Sequence, residues 1–261
     1  MKHCRIALAG VGALAAASLA LSACSTNTSA SGGASASPSA SVAPGVALTN
    51  SILALGGQGF DIAATEGTLS GTGSIDPAHQ AGSLEIKGAQ QGVALDVGFT
   101  EIGNDIWAKV DLGALSGQLG IDPKKWMKLD GSKLTGIDAR PFDLASKDPL
   151  QISKLITSVA DVKRVDATHL TGTVDLTAAT GPSAPDADAV KKAGAAAKAL
   201  PFAATLDNQS RLTELKINAS SDIAVDIKLS NFGSPTAVTP PPTSDVIPAP
   251  AMIYQFFNSA G

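Results

Sequence analysis

The sequence predicts an α+β protein: a large antiparallel β-sheet with one wet face and a few helices. Three observations lead there. Several segments place an apolar residue at every second position, which puts all of those side chains on one face of a strand. Turn signals separate these segments, among them Asp76-Pro77, Gly103-Asn104-Asp105 and Asp207-Asn208. Helical periodicity, by contrast, interrupts the region from Phe60 to about Val238 only twice.

Taken in order, the chain opens with a basic n-region, Lys2 and Arg5, and an apolar run from Ile6 to Ala20. That run is short of the ~20 residues a membrane-spanning helix needs, and its flanks are those of a secretory signal. It ends at Leu21-Ser22-Ala23-Cys24, which resembles a bacterial lipobox. The resemblance implies a diacylglyceryl group on the Cys24 thiol and cleavage between Ala23 and Cys24. Each buried methylene contributes about 0.8 kcal/mol, so two or three acyl chains on one residue make a lasting anchor. Residues 1–23 are therefore read as a lipoprotein signal peptide. Residues 24–46, a run of Ser, Ala, Gly, Thr and Pro, are read as a disordered tether, because they cannot bury enough apolar surface to offset their ordering entropy. Its reach is on the order of 25 Å.

Residues 47–240 form the expected domain. A short helix is expected around Leu48 to Leu55. Strands follow over Leu69–Ile75, Ser83–Lys87, Val93–Thr100, Ile106–Asp111 and Trp126–Asp130. On the third of these Val93, Leu95, Val97 and Phe99 share a face; Leu84 and Ile86 do so on the second. Asp148 reads as an N-cap with Pro149 at the first helical position, opening a helix through Leu150, Ile152, Leu155, Ile156 and Val159. Leu170, Gly172, Val174 and Leu176 alternate with threonines and Asp175. A second helix is expected over Pro185 to Leu200, acidic early and basic late, as the helix dipole favours. Leu212–Ala219 and Ile223–Ser230 are the last strands, the latter with Ile223, Val225, Ile227 and Leu229 inward. Gly71, Gly73, Gly88, Gly98 and Gly172 lie at or near strand interiors, where they mark bends or leave room for a ligand chain. Residues 241–261 are a Pro-rich and apolar tail. Prolines make 233–250 extended and irregular, and Met252 to Phe257 are read as docking on the domain, the alternative being contact with a membrane or partner.

Composition excludes several functions. The net charge of −4 becomes more negative once Lys2 and Arg5 leave, so no basic stripe exists for nucleic acid. Cys4 and Cys24 are the sole cysteines, which leaves the exported domain without a disulfide or thiolate metal ligands. His79 and His169 lie far apart, each near a turn. No Gly-x-Ser-x-Gly elbow, Gly-x-x-x-x-Gly-Lys loop or His-Glu-x-x-His helix is present. No enzyme activity and no cofactor are expected.

Trp107-x-Lys109-x-Asp111 and Trp126-x-Lys128-x-Asp130 share one pattern, with Ala108, Val110, Met127 and Leu129 on the other face. It reads either as an aromatic-and-charge ladder at a cavity mouth or as two neighbouring strands whose Trp and Lys stems cover apolar surface. The lipobox and tether, the segment Gly103 to Val110 followed by Lys125 to Asp130, and Val225 to Leu229 running into Ser230-Asn231-Phe232-Gly233-Ser234-Pro235 together resemble the LppX/LprAFG family of mycobacterial and other actinobacterial envelope lipoproteins. The resemblance implies a curved, U-shaped half-barrel with helices on its concave face. An apolar cavity between them would take acyl chains of envelope lipids or glycolipids, carried by a monomer on the extracytoplasmic face of the cell membrane, with a membrane transporter as a further partner. Leu84, Ile86, Val93, Leu95, Val97, Phe99, Val174, Leu176, Ile223, Val225, Ile227 and Leu229 are the cavity candidates. The same alternation would equally fill a dry core, which makes a structural or interaction lipoprotein the alternative function.

Overall fold

A computed structural model describes residues 42–90, 92–134, 142, 144, 147–156, 159–179, 187–220 and 223–259. Ala23 and Cys24 lie outside the described residues. The chain forms one twelve-stranded mixed sheet with few helices. The first six strands are β1 (Phe60–Glu66), β2 (Leu69–Asp76), β3 (Ala81–Gln90), β4 (Val93–Ile102), β5 (Asp105–Asp111) and β6 (Trp126–Leu129). The second group comprises β7 (Val159–Arg164), β8 (His169–Val174), β9 (Leu200–Leu206), β10 (Leu212–Ser220) and β11 (Ile223–Ser230), and β12 (Val246–Pro248) comes last. Each group of consecutive strands is an antiparallel meander, and β1 pairs antiparallel with β11 to join them. The order is β12-β6-β5-β4-β3-β2-β1-β11-β10-β9-β8-β7, open at both ends.

The expectation of a wholly antiparallel sheet fails at one edge. β12 runs parallel to β6, with Val246 opposite Trp126 and Ile247 opposite Met127. A parallel neighbour requires a crossover rather than a hairpin, and residues 231–245 supply it. They leave β11 in the middle of the sheet, touch β1 and β2 at Thr236, and reach the β6 edge, where the Lys125 ammonium donates to the Ser244 carbonyl at 2.9 Å. Pro235 lies so close over Gly59 that a side chain at residue 59 would meet its ring at 2.5 Å. The stretch from Gly233 to Pro250 thus contains a short strand where the prolines predict only irregular chain.

The helices also differ from expectation in length. Helix α1 (Pro44–Leu53) starts at a proline in the first turn, where a missing N–H costs nothing. It turns Leu48, Ser51 and Ile52 inward, and Leu55 follows in a 3₁₀ turn. A five-residue α2 (Ala114–Gln118) follows β5. The helix expected from Asp148 to Val159 shrinks to α3 (Ile152–Leu155). The Asp148 carboxylate accepts the N–H groups of Ile152 and Ser153 at 2.9 and 2.7 Å, while Gln151 takes a left-handed φ of 54°. Val159 instead begins β7 opposite Val174, because its branched side chain suits the pleat. The second expected helix ends early: α4 (Ala187–Ala193) meets Gly194 at φ +56°, a 3₁₀ turn covers Gly194–Lys198, and Leu200 starts β9. Its start at Pro185 lies outside the described residues. The tail ends in α5 (Ala251–Ser259), which packs on the domain.

Two buried apolar clusters hold one face of the sheet. The first joins Leu48, Ile52 and Leu55 with Phe60, Ile75, Leu170, Leu215, Ile217 and Ile227. The second joins Val97, Ile106, Ala108, Val110, Met127 and Leu129 with Ile253 of α5. Both take the same alternating positions, as register requires: Ile62 opposes Leu229, Leu84 opposes Phe99, and Phe99 opposes Ala108.

Candidate functional site

Within the first cluster the apolar face carries a hollow of about 190 Å³. Ile62 and Ala64 of β1, Gly71 of β2, Leu84 and Ile86 of β3 and Val225 and Ile227 of β11 form its floor, and Phe142 and Leu150 stand over it. Four cavity candidates, Leu84, Ile86, Val225 and Ile227, are therefore in its wall. Val174, Leu176 and Leu229 are buried in the first cluster, and Leu176 sits in a 3₁₀ turn after β8 rather than on the strand. Val97 is buried in the second cluster, with Val93, Leu95 and Phe99 packed against it. Ile223 begins β11 opposite Ser220, and its side chain lies outside the described residues. Ile62, Ala64 and Phe142 escaped sequence reasoning, because Ala63-Ala64 blurs the alternation of β1 and no period surrounds Phe142; Leu150 reads in the sequence as part of a helix and not as a wall of the hollow.

Two of the strand glycines singled out in the sequence face the protein's own rings. A side chain at residue 172 would meet the Phe202 ring at 2.7 Å, and one at residue 98 would meet the Trp126 ring at 3.1 Å. At these two positions the glycines make room for an aromatic ring, not for a ligand chain. Gly71 is the strand glycine that opens on the apolar hollow.

The opposite face is polar, and register aligns its residues in rows. Asp61, Ser74, Ser83, Thr100, Trp107 and Lys128 form one, running from β1 to β6. Thr72, Glu85, Gly98 and Lys109 form the next. The two tryptophan motifs lie on this face as adjacent strands run in opposite directions, so Trp107 stands opposite Lys128. The Lys128 ammonium lies 5.7 Å from the Trp107 ring centre and 2.8 Å from Asp105, and Trp107 is only 8% exposed beneath it. A larger hollow of about 540 Å³ lies here, floored by both rows and walled by Trp126 on one side and Asp61 with Thr236 on the other.

Asp61 sets that second wall. Its carboxylate accepts the Thr236 N–H at 2.8 Å, the Thr236 hydroxyl at 2.9 Å and the Asn231 amide at 2.7 Å. Burial pulls the carboxyl upward, but these hydrogen bonds outweigh it and hold Asp61 below the ordinary aspartate range. Glu85 pairs with Lys87 at 2.8 Å, and that hydrogen bond raises the lysine. Beyond them, Glu214 and Asp226 alternate with Lys216 and Lys228 in a neutral network on β10 and β11. Among the described residues no group of three or more His, Cys, Asp or Glu is placed to hold a metal ion, and no helix is long and apolar enough to cross a membrane.

No family model matches the chain, and no curated protein does. Among solved structures it is similar to the crystal structure of an uncharacterized conserved protein from Thermus thermophilus. That likeness has 10% identity and a TM-score of 0.34, covering 78% of this chain and 98% of the other.

Proposed function

We propose that the protein is a membrane-anchored, non-enzymatic lipoprotein of the LppX/LprAFG kind that binds acyl chains of an envelope lipid or glycolipid on the apolar face of its sheet. The open sheet would curl into a U-shaped half-barrel with α1 and α3 on its concave side. Twelve strands support this, since open sheets beyond about ten strands curl or split. So does the packing of Leu48 and Ile52 of α1 in one cluster with Leu215 and Ile217 of the sheet.

The observation that carries the reading is the apolar hollow between Leu84, Ile86, Val225 and Ile227 below and Phe142 and Leu150 above. Its 190 Å³ is smaller than the ~300–1,000 Å³ of ordinary ligand pockets. An acyl chain therefore enters with Phe142 and Leu150 displaced, and each methylene buried is favourable by about 0.8 kcal/mol. Anchoring through Cys24 would keep this exchange at the extracytoplasmic face of the cell membrane, with a transporter able to supply cargo.

Saturable uptake of an environment-sensitive fluorescent fatty acid, and lipid found by mass spectrometry after native extraction, are the expected results. Ile227→Trp, which fills the hollow, should abolish uptake while the protein stays folded. Absence of both co-purifying lipid and uptake would leave the second reading, a structural or interaction lipoprotein. The near-complete burial of Val97, Val174 and Leu176 favours that alternative, because those positions fill a core.

A further inference from the structure

We propose that the outer-face hollow between β1 and β6 is a saccharide-binding site, independent of the acyl pocket on the other side of the sheet. Its volume, about 540 Å³, lies within the range of ligand pockets. Its floor is made of short side chains aligned by register, Thr72 and Ser83 with Thr100, so three strands present hydroxyls in one depression. Among the described residues those three hydroxyls and the Lys109 ammonium make no hydrogen bond or ion pair with protein. A hydroxyl both donates and accepts, and a carboxylate such as Glu85 accepts strongly; together they match a polyol.

Trp126 supplies the other half of that chemistry. Its ring reaches across β5 to lie over Gly98, half-buried, at one wall of the hollow. A half-exposed indole offers an apolar surface beside a polar floor, which suits a pyranose ring with its C–H face on one side and hydroxyls around the rim. The charge balance selects further. Asp61, Glu85 and Asp96 are offset by Lys109 and by Lys87, which lies 2.8 Å from Glu85 and 3.9 Å from Asp96, so the hollow carries little net charge and favours an uncharged ligand. The lining mixes apolar residues, Ile62, Leu84, Phe99 and Trp126, with hydroxyls and carboxylates, which matches the mixed surface of a sugar better than the uniformly apolar one of an acyl chain. A neutral sugar remains, presented either by a free glycan chain or by the headgroup of a glycolipid.

The test uses the purified protein in two arms. One titrates soluble neutral oligosaccharides of glucose, mannose, galactose and arabinose, read by tryptophan emission and calorimetry. The other measures co-sedimentation with phosphatidylcholine vesicles with and without digalactosyldiacylglycerol. Saturable binding in the first arm identifies a glycan chain, and binding to the glycolipid vesicles alone identifies a headgroup. In either case Trp126→Ala should weaken binding at least tenfold and Glu85→Gln about fivefold. Ile227→Trp should leave it unchanged, which separates this site from the acyl pocket. Glu85 is exposed and borders the floor, so its variant keeps the test valid if loss of Trp126 perturbs folding. No binding in either arm, or binding that both outer-face variants retain, overturns the proposal.

Discussion

The Asp61 carboxylate on β1 accepts both the backbone N–H and the hydroxyl of Thr236, at 2.8 and 2.9 Å, across 175 residues of chain. This bond pair fixes the crossover that delivers β12 to the far edge of the sheet. Asp61→Ala should cost about 1.5–3 kcal/mol, the range for hydrogen bonds to a charged group. The pH dependence follows from the lowered folded-state value of Asp61. A depressed carboxyl contributes stability in full above its unfolded value, near 3.9, and loses it as pH falls toward the folded one. The stability gap between wild type and Asp61→Asn should therefore be constant above about pH 5 and close below pH 4, as thermal unfolding across pH would show.

Two glycines should respond oppositely to alanine. At residue 172 a Cβ would lie 2.7 Å from Phe202 and 2.9 Å from the Ala160 carbonyl, so backbone must shift. Gly172→Ala should lose about 1–3 kcal/mol by overpacking. Gly117 lies in α2 with nothing within 4 Å of the new atom, and Gly117→Ala should gain about 0.4–1 kcal/mol. Urea unfolding of both variants measures the contrast.

The last helix is held at two points. Ile253 is 1% exposed in the second cluster, and the Tyr254 hydroxyl accepts the Asp130 N–H at 2.8 Å. Ile253→Ala should cost about 2–4 kcal/mol through the cavity it leaves. Tyr254→Phe should cost about 0.5–1.5 kcal/mol. Equal effects from both, read by thermal unfolding, would contradict packing as the dominant force on this tail.

Cys24 offers a chemical test of the anchor. In a lipoprotein-processing host the mature chain should begin at Cys24 and carry the mass of a diacylglyceryl group. Cys24→Ser should move the protein from the membrane fraction to the soluble one. Fractionation with intact-mass measurement decides it, and an unmodified thiol would remove the membrane from the proposed function.

Legibility differs from strand to strand for local reasons. β4 and β11 alternate so regularly that spacing alone assigns Val93 to Phe99 and Val225 to Leu229 a common face. Leu200, the first residue of β9, reads as the end of a helix because it closes an alanine-rich helical run, and its pairing with Val174 overrides that run. β7 likewise merges into a helix in the sequence, since Leu155, Ile156 and Val159 keep helical spacing until β8 captures Val159. Three-residue β12 has no period to read.

What the amino-acid order settled by itself is the partition between apolar and polar faces, because a strand's side chains alternate whatever its neighbours are. The tertiary structure decided which strands adjoin. Register sums hydrogen bonds and side-chain contacts between segments far apart in the chain, and no local pattern contains that sum. Register brings Leu84 and Ile227 to one hollow, over which Phe142 packs, and sets Thr72, Ser83 and Trp126 around another.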